Sequence, residues 1–145
     1  VSLTFQSGMS GTLIASQVAA GEENNLSIRI YGEKGGLIWR QMEPNTLLLL
    51  RPDAHAQVIR TGTSVAGMDL TASIHTRLPA GHPEGFIEAF ANLYRNFALN
   101  IIAVNEGQKP DLTADYPGIN EGVRGMKFLE AVVSSSQSGS VTKTL

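Results

Sequence analysis

Six segments of strand character crowd into the first sixty residues, joined by connections of only a few residues each. That spacing constrains the fold more than any other feature, because a parallel pair needs a crossover of about a dozen residues whereas antiparallel neighbours need only a turn. The segments are Val1–Gln6, Thr12–Ala20, Leu26–Tyr31, Leu37–Gln41, Thr46–Arg51 and Ala56–Arg60. Ser7-Gly8, Gly21 to Asn25, Glu33 to Gly36, Pro44-Asn45 and Pro52-Asp53 punctuate them, with the residue types that turns require. The pattern predicts a meander.

The stretch IRIYGEKGGLIW, Ile28 to Trp39, sets a lysine among glycines. A phosphate loop would continue through Gly-Lys-Ser/Thr directly into a helix. Here both flanks are strand-like instead, so the reading is a hairpin with Glu33 and Lys34 at its tip and with Gly35 and Gly36 supplying positive φ. Leu70–Ile74 is left open between a further strand and a long loop over 61–79.

Beyond Pro83 the period changes. Phe86, Phe90, Leu93, Phe97 and Ile101 recur at helical spacing, predicting a helix to about Asn105 with these residues as its core stripe. Pro83 and Glu84 suit its first turn. After a loop over Asp111 to Pro117, a second helix is predicted from about Asn120 to Ser135, with Val123, Met126, Ala131 and Val133 as core contacts. Gly139 lies beyond its end, and Val141-Thr142 reads as a last strand. The fold class is α+β: a mainly antiparallel open sheet with two long helices packed on one face. Leu47 to Leu50 place apolar groups on both sides of that sheet, so its open face should be an interface.

At 145 residues the chain suits one domain, and such a chain buries about 70% of its unfolded surface. The net charge is −2 with lysines and arginines scattered, which gives a nucleic-acid surface no support. Leu47–Leu50 is far too short an apolar run to span a bilayer. The absence of cysteine removes thiol chemistry and Cys-based zinc sites, and it suits a reducing cytoplasm. Val1-Ser2-Leu3-Thr4-Phe5 is neither a secretion signal nor a natural start, and reads as the interior of a longer protein.

His82-Pro83-Glu84 lacks the downstream cysteine pair that zinc deaminase chemistry needs. His55, His75 and His82 share no metal-ligand spacing. Ser7 to Gly11 is a turn between strands, without the serine elbow of hydrolases. No Gly-x-Gly-x-x-Gly occurs, and the short strand connections leave no room for a dinucleotide-binding βαβ unit. His82 keeps interest because it stands at the mouth of a long helix, where an imidazole and the positive helix end can meet a polar ligand. The plainer reading is a loop histidine bonded to backbone or water. For Gly21 to Asn25 the plainer reading is a polar strand connection.

Taken in order, SQVAAGEENNLSIRIYGEKGGLIWRQMEPNTLLL, RLPAGHPEGFIEAFANLYRNF and DYPGINEGVRGMKFLEAVVSSSQSGSV closely resemble the C-terminal domain of the Gfo/Idh/MocA oxidoreductases. The resemblance covers essentially the whole chain. It implies a two-domain enzyme using NAD or NADP to oxidise or reduce a sugar, polyol or related compound, with the nucleotide and a catalytic Glu-Lys-Pro lysine in a Rossmann domain absent from this chain. No catalytic residue and no cofactor are then expected within 1–145. What remains shapes the substrate pocket and makes homo-oligomer contacts through the open sheet face. Carried over by position, Asn24 in the 21–25 connection and His82, Glu84 and Phe86 at the helix start are expected to face substrate. A non-enzymatic oligomerisation or ligand-binding module that has lost its cofactor domain is the alternative.

Overall fold

In a computed structural model, residues 1–111 and 113–144 are described. They form two compact units, Val1–Gly21 with Pro117–Leu145, and Glu22–Tyr116. The class is α+β, with antiparallel strands and two long helices.

The larger unit holds the meander. Strands β3 (Ser27–Gly32), β4 (Gly35–Arg40), β5 (Thr46–Arg51) and β6 (Ala54–Arg60) pair in sequence order, each antiparallel to the next. Its first hairpin turns through Glu33 and Lys34, as the sequence predicts, but of its two glycines only Gly35 takes the expected positive φ. Among the described residues Ser140 alone is a non-glycine at positive φ, so the tip residues turn with negative φ, and Gly36 is not at positive φ either. Gly35 is required because a Cβ there would collide with the Leu50 carbonyl oxygen, and Gly36 because a Cβ would meet the Tyr31 ring at 3.0 Å. Gly35 also takes the expected positive φ, 158°, so both its backbone and its surroundings call for glycine, whereas close approach alone selects Gly36.

Register sorts the side chains, since paired residues share a face and neighbours alternate. Ile28 pairs with Trp39 and Trp39 with Leu47, Leu47 with Ile59, and Ile30 with Leu37 and Leu37 with Leu49. That face is apolar almost throughout. On the other, Ile38 pairs with Arg29 and Leu48, Leu48 with Val58, Arg40 with Ser27, and Thr46 with Arg60. Its apolar centre is rimmed by three arginines.

The open segment resolves as neither strand nor loop. It is a short helix, α1 (Leu70–Ile74), whose start is capped by the Asp69 carboxylate accepting from Thr71 N–H at 2.8 Å. Helix α2 (Phe86–Asn105) begins three residues after Pro83. Its expected apolar stripe is not what it buries: Phe86, Phe90, Leu93, Phe97 and Ile101 are 39–65% exposed, whereas Asn96 is 2% and Asn100 8% exposed. Phe86 and Phe90 rings lie 4.8 Å apart, and Phe97 meets Tyr116 edge-on at 5.3 Å. The residues that turn inward are asparagines: Asn96 and Asn100 satisfy backbone groups of Asp111, Ala114 and Asp115, and Asn96 also meets the His75 ring.

The smaller unit contains a hairpin, β1 (Ser2–Thr4) with β2 (Ser10–Thr12), and helix α3 (Ile119–Gln137). Ser7-Gly8 is the expected turn, closed by Gly8 N–H to Phe5 O at 2.9 Å. Residues 13–20, expected to be strand, are irregular, and so is Val141-Thr142. The strands therefore divide between a two-stranded and a four-stranded sheet. Helix α3 ends as its glycine suggests: Gly139 takes φ 76° and Ser140 N–H returns to Ser135 O at 2.7 Å, a left-handed cap that satisfies the last carbonyls. Val123, Met126 and Val133 are more than half or about half exposed, and Ala131 is half-buried.

Candidate functional site

The β4–β5 turn, Gln41 to Asn45, gathers three segments at one end of the four-stranded sheet. Within the turn, the Trp39 indole N–H donates to Pro44 O at 3.0 Å. Gln41 fixes the first segment, donating through Nε2 to Asn24 O at 2.8 Å and through its backbone N–H to Leu26 O at 2.8 Å. Asn45 fixes the other two. Its Nδ2 donates to Thr61 Oγ1 at 2.9 Å, and its Oδ1 accepts the Glu84 N–H at 2.8 Å. Gly85, the N-cap of α2, lies so near the turn that a Cβ there would be 3.2 Å from Pro44 Cγ.

All four residues expected to face substrate thus belong to the same end of the sheet, but their side chains are differently engaged. His82 is exposed, with Nδ1 3.3 Å from Pro79 O and its N–H on the same carbonyl at 3.2 Å. Asn24 is exposed, and its backbone carbonyl takes the bonds from Gln41 and from Leu26 N–H. The Phe86 ring is 65% exposed. Glu84 is different: its carboxylate accepts the N–H of Arg77 at 2.9 and 3.1 Å and that of Leu78 at 3.1 Å.

Behind this loop stands a ladder of asparagines that the apolar periodicity concealed. Asn92, Asn96 and Asn100 recur every four residues on one face of α2, a spacing that aligns side chains along the helix. Asn92 accepts from Arg77 Nη2 at 2.5 Å and donates to His75 O at 3.0 Å. Asn96 Nδ2 lies 2.8 Å from both His75 Nε2 and Asp115 O. Asn100 donates to Ala114 O at 2.8 Å and accepts Asp111 N–H at 3.1 Å. His75 Nδ1 sits 2.7 Å from Thr71 O, so a proton on Nδ1 leaves Nε2 to accept from Asn96. The available signal was three asparagines, poor helix formers, at regular spacing inside a helix.

Both long helices cap themselves with acid. Glu88 accepts the Gly85 N–H at 2.8 Å, and Glu121 accepts the Gly118 N–H at 2.9 Å. The Gly85 backbone bond, first among its causes, holds the Glu88 carboxyl below its usual value. Asp111 is likewise lowered, chiefly by the Thr113 backbone N–H and then by the Thr113 hydroxyl.

A family model described as the C-terminal alpha/beta domain of an oxidoreductase family, GFO_IDH_MocA_C, matches residues 1–144. The chain belongs to the Gfo/Idh/MocA oxidoreductase family. It is 33% identical over 142 residues to YfiI, an uncharacterized oxidoreductase of Bacillus subtilis (strain 168), covering 97% of this chain and 36% of that protein. Among solved structures it resembles an oxidoreductase from Sinorhizobium meliloti at 41% identity and TM-score 0.76, over 85% of this chain and 33% of the other. An inositol dehydrogenase homologue from Azotobacter vinelandii, solved with NADH and myo-inositol, matches at 32% identity and TM-score 0.86, over 97% of this chain and 37% of its own. The Gfo/Idh/MocA chain described here therefore spans about a third of the length of these relatives.

A dinucleotide does not fit the residues of this Gfo/Idh/MocA domain. Every strand pair described is antiparallel, so no βαβ crossover offers a nucleotide crevice. The N-termini of α2 and α3 are already occupied by the Glu88 and Glu121 carboxylates, which repel a pyrophosphate.

Proposed function

We propose that this chain is the substrate-side domain of a nicotinamide-dependent oxidoreductase acting on a polyol or sugar, with NAD or NADP held by another part of the complete protein. The likeness to a homologue solved with NADH and myo-inositol, over 97% of this chain at TM-score 0.86, carries the reading. The candidate site supports it. Polyhydroxyl ligands are recognised by a few placed hydrogen-bonding groups on a partly apolar wall, and His82, Asn24 and Phe86 supply an imidazole, an amide and an exposed ring at one end of the sheet. Glu84 contributes to the same site by holding its loop. The hydride and the catalytic proton are handled outside this chain.

The same domain forms the subunit interface. The sheet face of Ile38, Leu48, Leu50 and Val58, rimmed by Arg29, Arg40 and Arg60, has the apolar centre and arginine-rich surround of a protein interface. A second copy related by a two-fold axis covers both faces at once.

The test is a survey of the complete protein against polyols, sugars and sugar derivatives, following nicotinamide reduction with NAD and with NADP. Turnover on a polyol or sugar is expected. Absence of turnover across the panel with either nucleotide refutes the reading.

A further inference from the structure

We propose that Glu84 is a positioning residue, whose carboxylate clamps the 77–84 loop closed and so sets where the His82 edge of the site stands; the inference rests on the polyol reading above. Both carboxylate oxygens are committed to the backbone donors of Arg77, at 2.9 and 3.1 Å, and one also to Leu78 at 3.1 Å. The loop is thereby a closed ring whose last residue grips its first two. A carboxylate is the fitting clamp, since bonds to an ionised acceptor are stronger than neutral ones and its two oxygens can take two diverging N–H groups.

The ring is also tied from outside at both ends. Glu84 N–H donates to Asn45 Oδ1 at 2.8 Å, fastening the ring to the β4–β5 turn. Arg77 Nη2 donates to Asn92 Oδ1 at 2.5 Å, fastening it to α2, and Asn92 in turn donates to His75 O at 3.0 Å. Inside it, Pro79 and Pro83 restrict φ, and Gly81 takes the left-handed turn at φ 88°. His82 projects from this braced ring bonded only within it. A loop ordered before the ligand arrives spares the ligand the entropy of ordering it. Loss of the clamp should therefore weaken substrate binding and leave the chemical step alone.

The experiment uses the complete protein with Glu84→Ala and Glu84→Gln, the best substrate of the wild-type survey, and amide hydrogen exchange. Glu84→Ala should accelerate exchange at the Arg77 and Leu78 amides and raise KM for the polyol or sugar by about tenfold, the worth of one ordered hydrogen bond. Its kcat at saturation and its KM for the nucleotide should stay within about twofold. Glu84→Gln, which keeps one acceptor oxygen, should recover part of the KM. Unaltered exchange at both amides overturns the clamp, whatever the kinetics. Accelerated exchange with unchanged KM overturns the positioning role and leaves the polyol reading standing. A wild-type protein inactive on every polyol and sugar overturns both, and that assay precedes any variant.

Discussion

Asn45 and Glu84, 39 positions apart in the chain, are joined by a 2.8 Å hydrogen bond from the Glu84 N–H to Asn45 Oδ1. The other end of the same amide holds Thr61 Oγ1 at 2.9 Å. One short side chain thus fastens both the exit from β6 and the approach to α2 onto the β4–β5 turn. Replacing Asn45 with Leu removes both bonds and leaves a partly buried N–H unpaired, which should cost about 1–3 kcal/mol. Urea unfolding should show a lower midpoint at unchanged slope. An unchanged midpoint would mean that water satisfies both partners equally well.

Glu88 makes the start of α2 acid-sensitive. Because its carboxyl is lowered by the Gly85 bond, the folded chain holds the ionised form more tightly than the unfolded chain does. Its contribution is fully present above the ordinary glutamate value and is lost as pH falls through the lowered one. Stability measured from neutral pH downward should decline less steeply in Glu88→Gln than in wild type. Superimposable profiles would remove the cap from the acid response. Asp111→Asn should act in the same direction, since Thr113 lowers that carboxyl too.

His82→Ala in the complete protein should raise KM, or lower kcat/KM, by about tenfold, the effect of losing one hydrogen bond to a polar substrate. The imidazole is exposed and bonded only to its own loop, so folding should be unaffected. Wild-type kcat/KM in a normally folded variant would place His82 outside the site.

Self-association should depend on the arginine-rimmed sheet face. Leu48→Lys puts a fourth positive side chain beside Ile38 and Val58, the neighbours of Leu48 in register. Light scattering at low micromolar concentration should report a dimer or larger for wild type and a folded monomer for the variant. Leu49→Lys, on the opposite face with Leu37 and Gln57, serves as the comparison. If Leu49→Lys alone dissociates the oligomer, the interface is the other face.

The chain by itself should not bind a nicotinamide nucleotide. Titration with NADH, read through the fluorescence of Trp39, should show no saturation in the micromolar range, which corresponds to about −8 kcal/mol. Saturable micromolar binding would contradict both the antiparallel topology and the acid-capped helix starts.

Local chemistry was enough to specify much of this protein. Alternation and short turns determined the meander from Ser27 to Arg60, because strand period and turn chemistry act within a few residues. Helical spacing announced α2 and α3, and the ordered set of segments identified the family. Bonds between distant segments decided the rest. Gly36 is required by a ring across the hairpin and Gly35 by a carbonyl on β5, neither of which a turn rule contains. The carboxylate of Glu84 reads as substrate-facing by position, yet it is engaged with Arg77 and Leu78. Most of all, apolar spacing along α2 pointed to Phe86, Phe90 and Phe97, while Asn96 and Asn100 are the residues it buries. Periodicity records which side chains are apolar; it cannot record which loop carbonyls and N–H groups will need a partner, and only the folded chain brings those groups to the helix.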